Sequence, residues 1–121
     1  MICTFVSSPY THAEPFVMAE RALAAADFCV YLTRQGFAPF SPIVHWHETA
    51  SLHDLGKTAA DWRDYNASWI AKADCVHVLC LPGWTESVGV GYELEWAQGK
   101  PIYYVEPKTY RVRARLSVEK D

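Results

Sequence analysis

Long apolar runs are missing from this sequence, and so is any excess of positive charge. No run approaches the roughly 20 residues that a membrane-spanning helix needs, so no membrane partner is expected. Eleven Lys and Arg stand against 14 Asp and Glu, a formal net charge of −3. That balance removes the electrostatic case for a nucleic-acid polymer as partner. The first residues lack a basic region and a long apolar core, which gives no reason to expect secretion. The four cysteines, Cys3, Cys29, Cys75 and Cys80, have no Cys-x-x-Cys spacing and sit in apolar runs. They read as reduced core residues of a cytoplasmic protein. Repeats, linkers and low-complexity segments are absent.

What is present is a chain of 121 residues, half of them apolar and rich in Trp and Tyr. That is enough for one domain with a real core. Met1 to Val6 reads as a first strand, followed by the turn-rich Ser7-Ser8-Pro9-Tyr10-Thr11-His12. Glu14 to Gln35 has helical periodicity, with Phe16, Ala19, Leu23, Ala26, Val30 and Thr33 as the expected apolar stripe. Gly36 suits the C′ position. Phe37 to Phe40 reads as a second strand, and Ile43 to Leu55 as an irregular loop holding three of the five histidines. Ala59 to Ala73 is helical, Cys75 to Leu81 a third strand, Ser87 to Gln98 a helix, and Pro101 to Val105 a fourth strand.

This alternation predicts a parallel sheet covered by helices on both faces. The expected fold is three-layer α/β/α, Rossmann-like (flavodoxin-like), with a mainly parallel sheet of four or five strands. Residues 1–106 form the domain and 107–121 a tail. In the tail, Val112, Ala114, Leu116 and Val118 alternate with Arg111, Arg113, Arg115 and Ser117. That is either an edge strand or partner contact, or a solvated basic segment. Ligands in such sheets bind beyond the carboxyl ends of the strands. The loops expected there are Ser7–His12, Ser41–His53 and Pro82–Gly91.

The third of these loops is the most informative. Glycines 89 and 91 allow close backbone approach or positive φ. The helix start offers free N–H groups to an anion, and Ser87 adds a hydroxyl. Glu93 falls in the early helix, where the macrodipole favours an ionised carboxylate. An anion-friendly loop beside a charged carboxylate suggests chemistry on a sugar or nucleotide; the plainer alternative is an ordinary helix start with an exposed Glu. The spacing is not the dinucleotide fingerprint, and no P-loop lysine follows.

At Ser87-Val88-Gly89-Val90-Gly91-Tyr92-Glu93-Leu94 the sequence resembles the nucleoside 2-deoxyribosyltransferase superfamily, which includes deoxynucleoside monophosphate N-glycosidases. Leu81-Pro82-Gly83-Trp84, Ser41 to His47 and Ser8 to His12 resemble an uncharacterised bacterial and phage branch of it. The resemblance covers most of the first 106 residues. It implies that Glu93 is a nucleophile attacking the anomeric carbon of a nucleoside. It implies that Ser87 and Gly89, with Ser8 and Gly91 nearby, contact the sugar or a 5′-phosphate. Tyr10 would orient the nucleophile or line the sugar site. The superfamily carries an aspartate eight residues before the acidic residue that ends the second-last helix, and counting back from Asp74 reaches Asn66. An amide can hydrogen-bond a base but cannot protonate it; Asp64 lies two residues earlier. The superfamily chemistry needs no metal or cofactor, and its members form homodimers or larger assemblies. Trp62 and Trp69 on one helix offer a dimer face.

The chemistry is coherent from first principles. Cleaving an N-glycosidic bond builds positive charge on the sugar, which a carboxylate can stabilise or trap. Trp46, Trp84 and Tyr10 can stack on a flat base, or simply pack. His45 and His47 share a face if the backbone is extended, and with His12 or His53 they could hold a metal. The alternative is hydrogen bonding to substrate, or one of the two donating a proton to the leaving base. Three functions stay open: N-glycosidic cleavage or transfer on a nucleoside or nucleoside monophosphate, a non-catalytic nucleotide-binding domain, and a small metal-dependent hydrolase.

Overall fold

A computed structural model describes residues 1–56 and 58–113. Its elements in chain order are β1 (Ile2–Ser7), α1 (Pro15–Arg34), β2 (Phe37–Phe40), α2 (Pro42–Leu52), α3 (Ala59–Lys72), β3 (Cys75–Leu79), α4 (Val88–Trp96), β4 (Ile102–Val105) and β5 (Val112–Arg113). A single turn of 3-10 helix, Trp84–Glu86, precedes α4. The sheet order is β2-β1-β3-β4-β5. The first four strands are parallel and β5 is antiparallel to β4. This is a three-layer α/β/α fold. The short β5 is where the expected alternating tail begins; the rest of that tail, from Ala114 on, lies outside the described residues. Among the described residues no helix is long and apolar enough to cross a membrane.

The chain runs from β1 outward to β2, then returns to place β3 on the other side of β1. The switch point is therefore the gap between β1 and β3, where Ser7 pairs in register with Val78. Period-two alternation distributes the side chains of β1. Phe5 joins Ile70 of α3 and Val90 of α4 on one face, while Val6 joins Phe28 and Leu32 of α1 on the other. Ser7, two residues beyond Phe5, must face α4. Asp74 locks the start of the β1–β3 pair: its carboxylate accepts the Cys3 N–H at 2.8 Å, and its own N–H donates to the Cys3 carbonyl.

Two elements depart from the sequence reading. The buried stripe of α1 is Ala22, Ala25, Phe28 and Leu32, while Phe16 and Leu23 are 63% exposed and Val30 is 48% exposed. The apolar residues of this helix wind almost all the way round it. The sheet takes the face where alanines permit close approach and Phe28 fills the space. The second departure is Pro42–Leu52, which is helical rather than an irregular loop. Ser41 caps it, its Oγ accepting the Val44 N–H at 3.2 Å, and Pro42 supplies the pre-set φ of a first helical position. α2 leaves the carboxyl end of β2 and packs on α1, and its Trp46 meets Trp62 of α3 at 5.5 Å between ring centres.

Candidate active site

The carboxyl ends of β1 and β2, the first turns of α3 and α4, and one side of α2 enclose a cavity of about 460 Å³. At its inner end lies Glu93. Its carboxyl is buried, with Oε1 accepting the Ser7 hydroxyl at 2.6 Å and Oε2 accepting the Asn66 amide at 3.1 Å. Both oxygens are thus held by donors from different elements, β1 and α3. Burial dominates the electrostatics all the same: it pushes the carboxyl up to about 8, and the two hydrogen bonds only partly offset it. The expected effect of the macrodipole does not win. Glu93 is the sixth residue of α4, beyond the first turn where that field acts. Burial thus favours the protonated form of the carboxyl.

The walls explain the rest of the site. Ser87 is the N-cap of α4, its Oγ accepting the Val90 N–H at 3.2 Å. Gly89 follows within the helix and faces Ala59 of α3 closely enough that a Cβ would stand 3.7 Å from the Ala59 Cβ. That is an ordinary contact, and φ is not positive, so neither helix approach nor a left-handed backbone requires glycine there. The glycine with positive φ in this loop is Gly83, at 92°. Arg21 of α1 staples two mouth loops together, donating to the carbonyls of Thr11 at 3.1 Å and Pro82 at 3.2 Å. The aromatic wall is Trp46 and Trp62; the Trp62 indole N–H bonds the Gly56 carbonyl.

Across the mouth, the Tyr10 hydroxyl meets Nδ1 of His47 at 2.6 Å. Burial pushes the Tyr10 phenol up. Three buried polar atoms around the cavity have no partner in the described chain: Ser8 Oγ, Trp46 Nε1 and Asn66 Oδ1. An unpaired buried polar atom costs roughly 1–3 kcal/mol, which solvent or a ligand with both a donor and an acceptor would offset. Among the described residues that line it, none is lysine or arginine.

The structure gathers Glu93, Tyr10, Asn66, Ser8, Ser87, Gly89 and His47 at one cavity. It places four other expected residues elsewhere. Asp64 is exposed on α3, its carbonyl accepting the Ser68 hydroxyl. Gly91 is exposed, with open space where a Cβ would stand. His45 lies outside the cavity lining, packed at a tilt on Phe40 and edge-on to Trp46. Trp84 packs on Tyr104 in the core beneath α4. Because α2 is a helix, His45 and His47 point about 200° apart, and the shared face that a metal pair would need is lost. Among the described residues no group of three His, Cys, Asp or Glu stands close enough to hold an ion. Trp62 turns inward rather than outward to a partner; Trp69 is 42% exposed and stacks on Phe40 at 4.7 Å.

Ser7 is the residue that the sequence reading missed. Its signal was available: it shares a strand face with Phe5, at the last position of β1, where a switch-point ligand would sit. No curated protein matches this chain. The family described as a domain of unknown function, DUF1937, matches residues 2–106, which span every element from β1 to β4 and every residue of the cavity, so the chain belongs to the DUF1937 family.

Proposed function

We propose that this protein cleaves or transfers the N-glycosidic bond of a nucleoside or nucleoside 5′-monophosphate, with Glu93 as the nucleophile. One observation carries the reading. A lone carboxyl sits at the inner end of an aromatic-walled cavity at the switch point, gripped through both oxygens by Ser7 and Asn66. A carboxylate so held is preorganised to meet the positive charge that develops on a sugar ring, and a fixed oxygen can bond the anomeric carbon. Trp46 and Trp62 offer flat faces to a base, and the resemblance in the Ser87–Glu93 segment points to the same chemistry. No metal or cofactor enters this reaction.

The test is to incubate the protein with a panel of nucleosides and their 5′-monophosphates and to follow free base by chromatography. Base release from at least one substrate is expected. Glu93→Gln should keep the fold and lose release by at least about 10³-fold, since an amide cannot form the glycosyl ester. Turnover by Glu93→Gln at the wild-type rate would sink the assignment. Glu95→Gln, on an exposed position of α4, should change little.

A second reading, a nucleotide-binding domain without turnover, has its own support. Asn66 bonds Glu93 where an acid would be wanted, and it cannot give up a proton. Calorimetry that detects nucleoside binding with no base release, alike in wild type and Glu93→Gln, would favour it. We also propose a cytoplasmic homodimer. Cys3, Cys29 and Cys75 are free thiols, and Trp69, Phe16, Leu23 and Val30 leave apolar surface for a second copy. A monomer mass by light scattering at high micromolar protein would overturn the dimer.

A further inference from the structure

The proposed reaction lacks an acid. A purine or pyrimidine leaves readily only if it is protonated as the bond breaks. The described titratable side chains that line the cavity are Tyr10, His47, Glu86 and Glu93. Glu93 is taken by the nucleophilic role. Tyr10 is a weak acid made weaker by burial. Glu86 is exposed at the rim and bonded by the neighbouring Thr85 hydroxyl. His47 remains.

His47 is also oriented. The hydroxyl of Tyr10 is 2.6 Å from Nδ1, and the two rings meet edge to face with centres 5.6 Å apart. In the imidazolium both ring nitrogens carry a proton, so Nδ1 donates to the Tyr10 oxygen and Nε2–H is left as the second donor. Among the described residues Nε2 has no partner. The neighbour of His47 on α2 is Trp46, whose unpaired indole N–H and flat face mark the aromatic end of the cavity.

We propose that His47 is the general acid that protonates the leaving base through Nε2, with Tyr10 as its positioning residue. This rests on the N-glycosidic reading above. In the first step a Glu93 oxygen bonds the anomeric carbon while the C–N bond breaks. The bonding pair moves to the base nitrogen system, and the imidazolium Nε2 proton follows it to the base. The ring is left neutral with its proton on Nδ1, which the Tyr10 oxygen still accepts. In the second step the acceptor attacks the glycosyl ester. When that acceptor is water, its proton goes to Nε2 and the imidazolium is restored. The sum is nucleoside plus water giving base plus free sugar, with Glu93 released as carboxylate. Asn66 then needs no proton of its own; it holds Glu93.

The test compares leaving groups. Nucleosides need a proton on the departing base, whereas 4-nitrophenyl 2-deoxyriboside releases a nitrophenolate that needs none. His47→Asn places an amide near the Nδ1 position, keeps a partner for Tyr10, and cannot deliver a proton. It should lower kcat for nucleosides by about 10²–10⁴-fold and for the nitrophenyl glycoside by less than about threefold. Tyr10→Phe should follow the same pattern with a smaller loss on nucleosides. His47→Gln is the second variant, and far-UV circular dichroism checks that each is folded. Equal losses on both substrates would overturn the acid role and leave His47 a structural residue; no loss on either would overturn it too. A wild-type protein that cleaves neither substrate sinks the N-glycosidic reading itself, a result distinct from either of those.

Discussion

Glu93 shows how burial and hydrogen bonding divide the control of one carboxyl. Desolvation raises it to about 8, and Ser7 and Asn66 pull the other way by favouring the charged form. If Glu93 attacks as a carboxylate, kcat/KM for the nitrophenyl glycoside, which needs no acid, should rise with pH and level off above a midpoint near 8, the free-protein value. A profile flat from pH 6 to 9 would contradict this. Ser7→Ala removes a 2.6 Å donor, so the midpoint should move to higher pH. A midpoint that stays put, or falls, would show that Ser7 does not act on the carboxyl. Much of this site was legible as residue types: Glu93, Tyr10, Ser8, Ser87 and Gly89 all line the cavity. Its charge state was not. Ionisation depends on how much protein covers a group, and neither a helix position nor a motif carries that information.

At the scale of elements, what was legible depended on which signal each segment carried. Strands β1 to β4 are short, apolar and bounded by turns, so they could be read directly. The sequence Ser41-Pro42 is an N-terminal helix signal, yet the histidines and β-branched residues beyond it read as a loop. Missing α2 moved His45 and His47 onto one face, although a helix turns them apart. Helix α1 was found, but its apolar residues cover too much of its surface for a sequence to choose the buried face. Ser87 raises a question at this level, because its side chain caps α4 and also lines the cavity. Ser87→Ala should lower stability by about 1 kcal/mol, whereas Ser87→Gly should cost only a few tenths. If Ser87 also touches a 5′-phosphate, both variants should weaken monophosphate binding alike, and more than nucleoside binding. Equal effects on monophosphate and nucleoside would confine Ser87 to the sugar or to the cap.

For the whole molecule, two buried groups on opposite faces of the sheet set the pH at which the fold is most stable. His77, between α1 and β4, bonds Thr4 through Nδ1 at 2.6 Å and packs against Phe28, Phe37 and Tyr103. Burial lowers it from 6.5 to about 4. Its contribution is complete above pH 6.5, and it is lost as pH falls toward 4, because the unfolded chain binds the proton first. Glu93 has the opposite sign. Raised from 4.5 to about 8, it contributes fully below pH 4.5, and that stability is lost as pH rises toward 8. Each group changes stability by at most about 1.4 kcal/mol per pH unit within its window. Between pH 4.5 and 6.5 the two slopes cancel. Urea unfolding should therefore find a plateau in that range and declining stability from there to pH 8. Glu93→Gln removes one slope only. The variant should match the wild type most closely near pH 4.5 and gain on it steadily to pH 8, by a few kcal/mol at the upper end. That gain is the stability the fold gives up to keep a carboxyl in a dry cavity. Parallel curves for the two proteins across the whole range would mean that Glu93 is solvated, and the nucleophile argument would lose its premise.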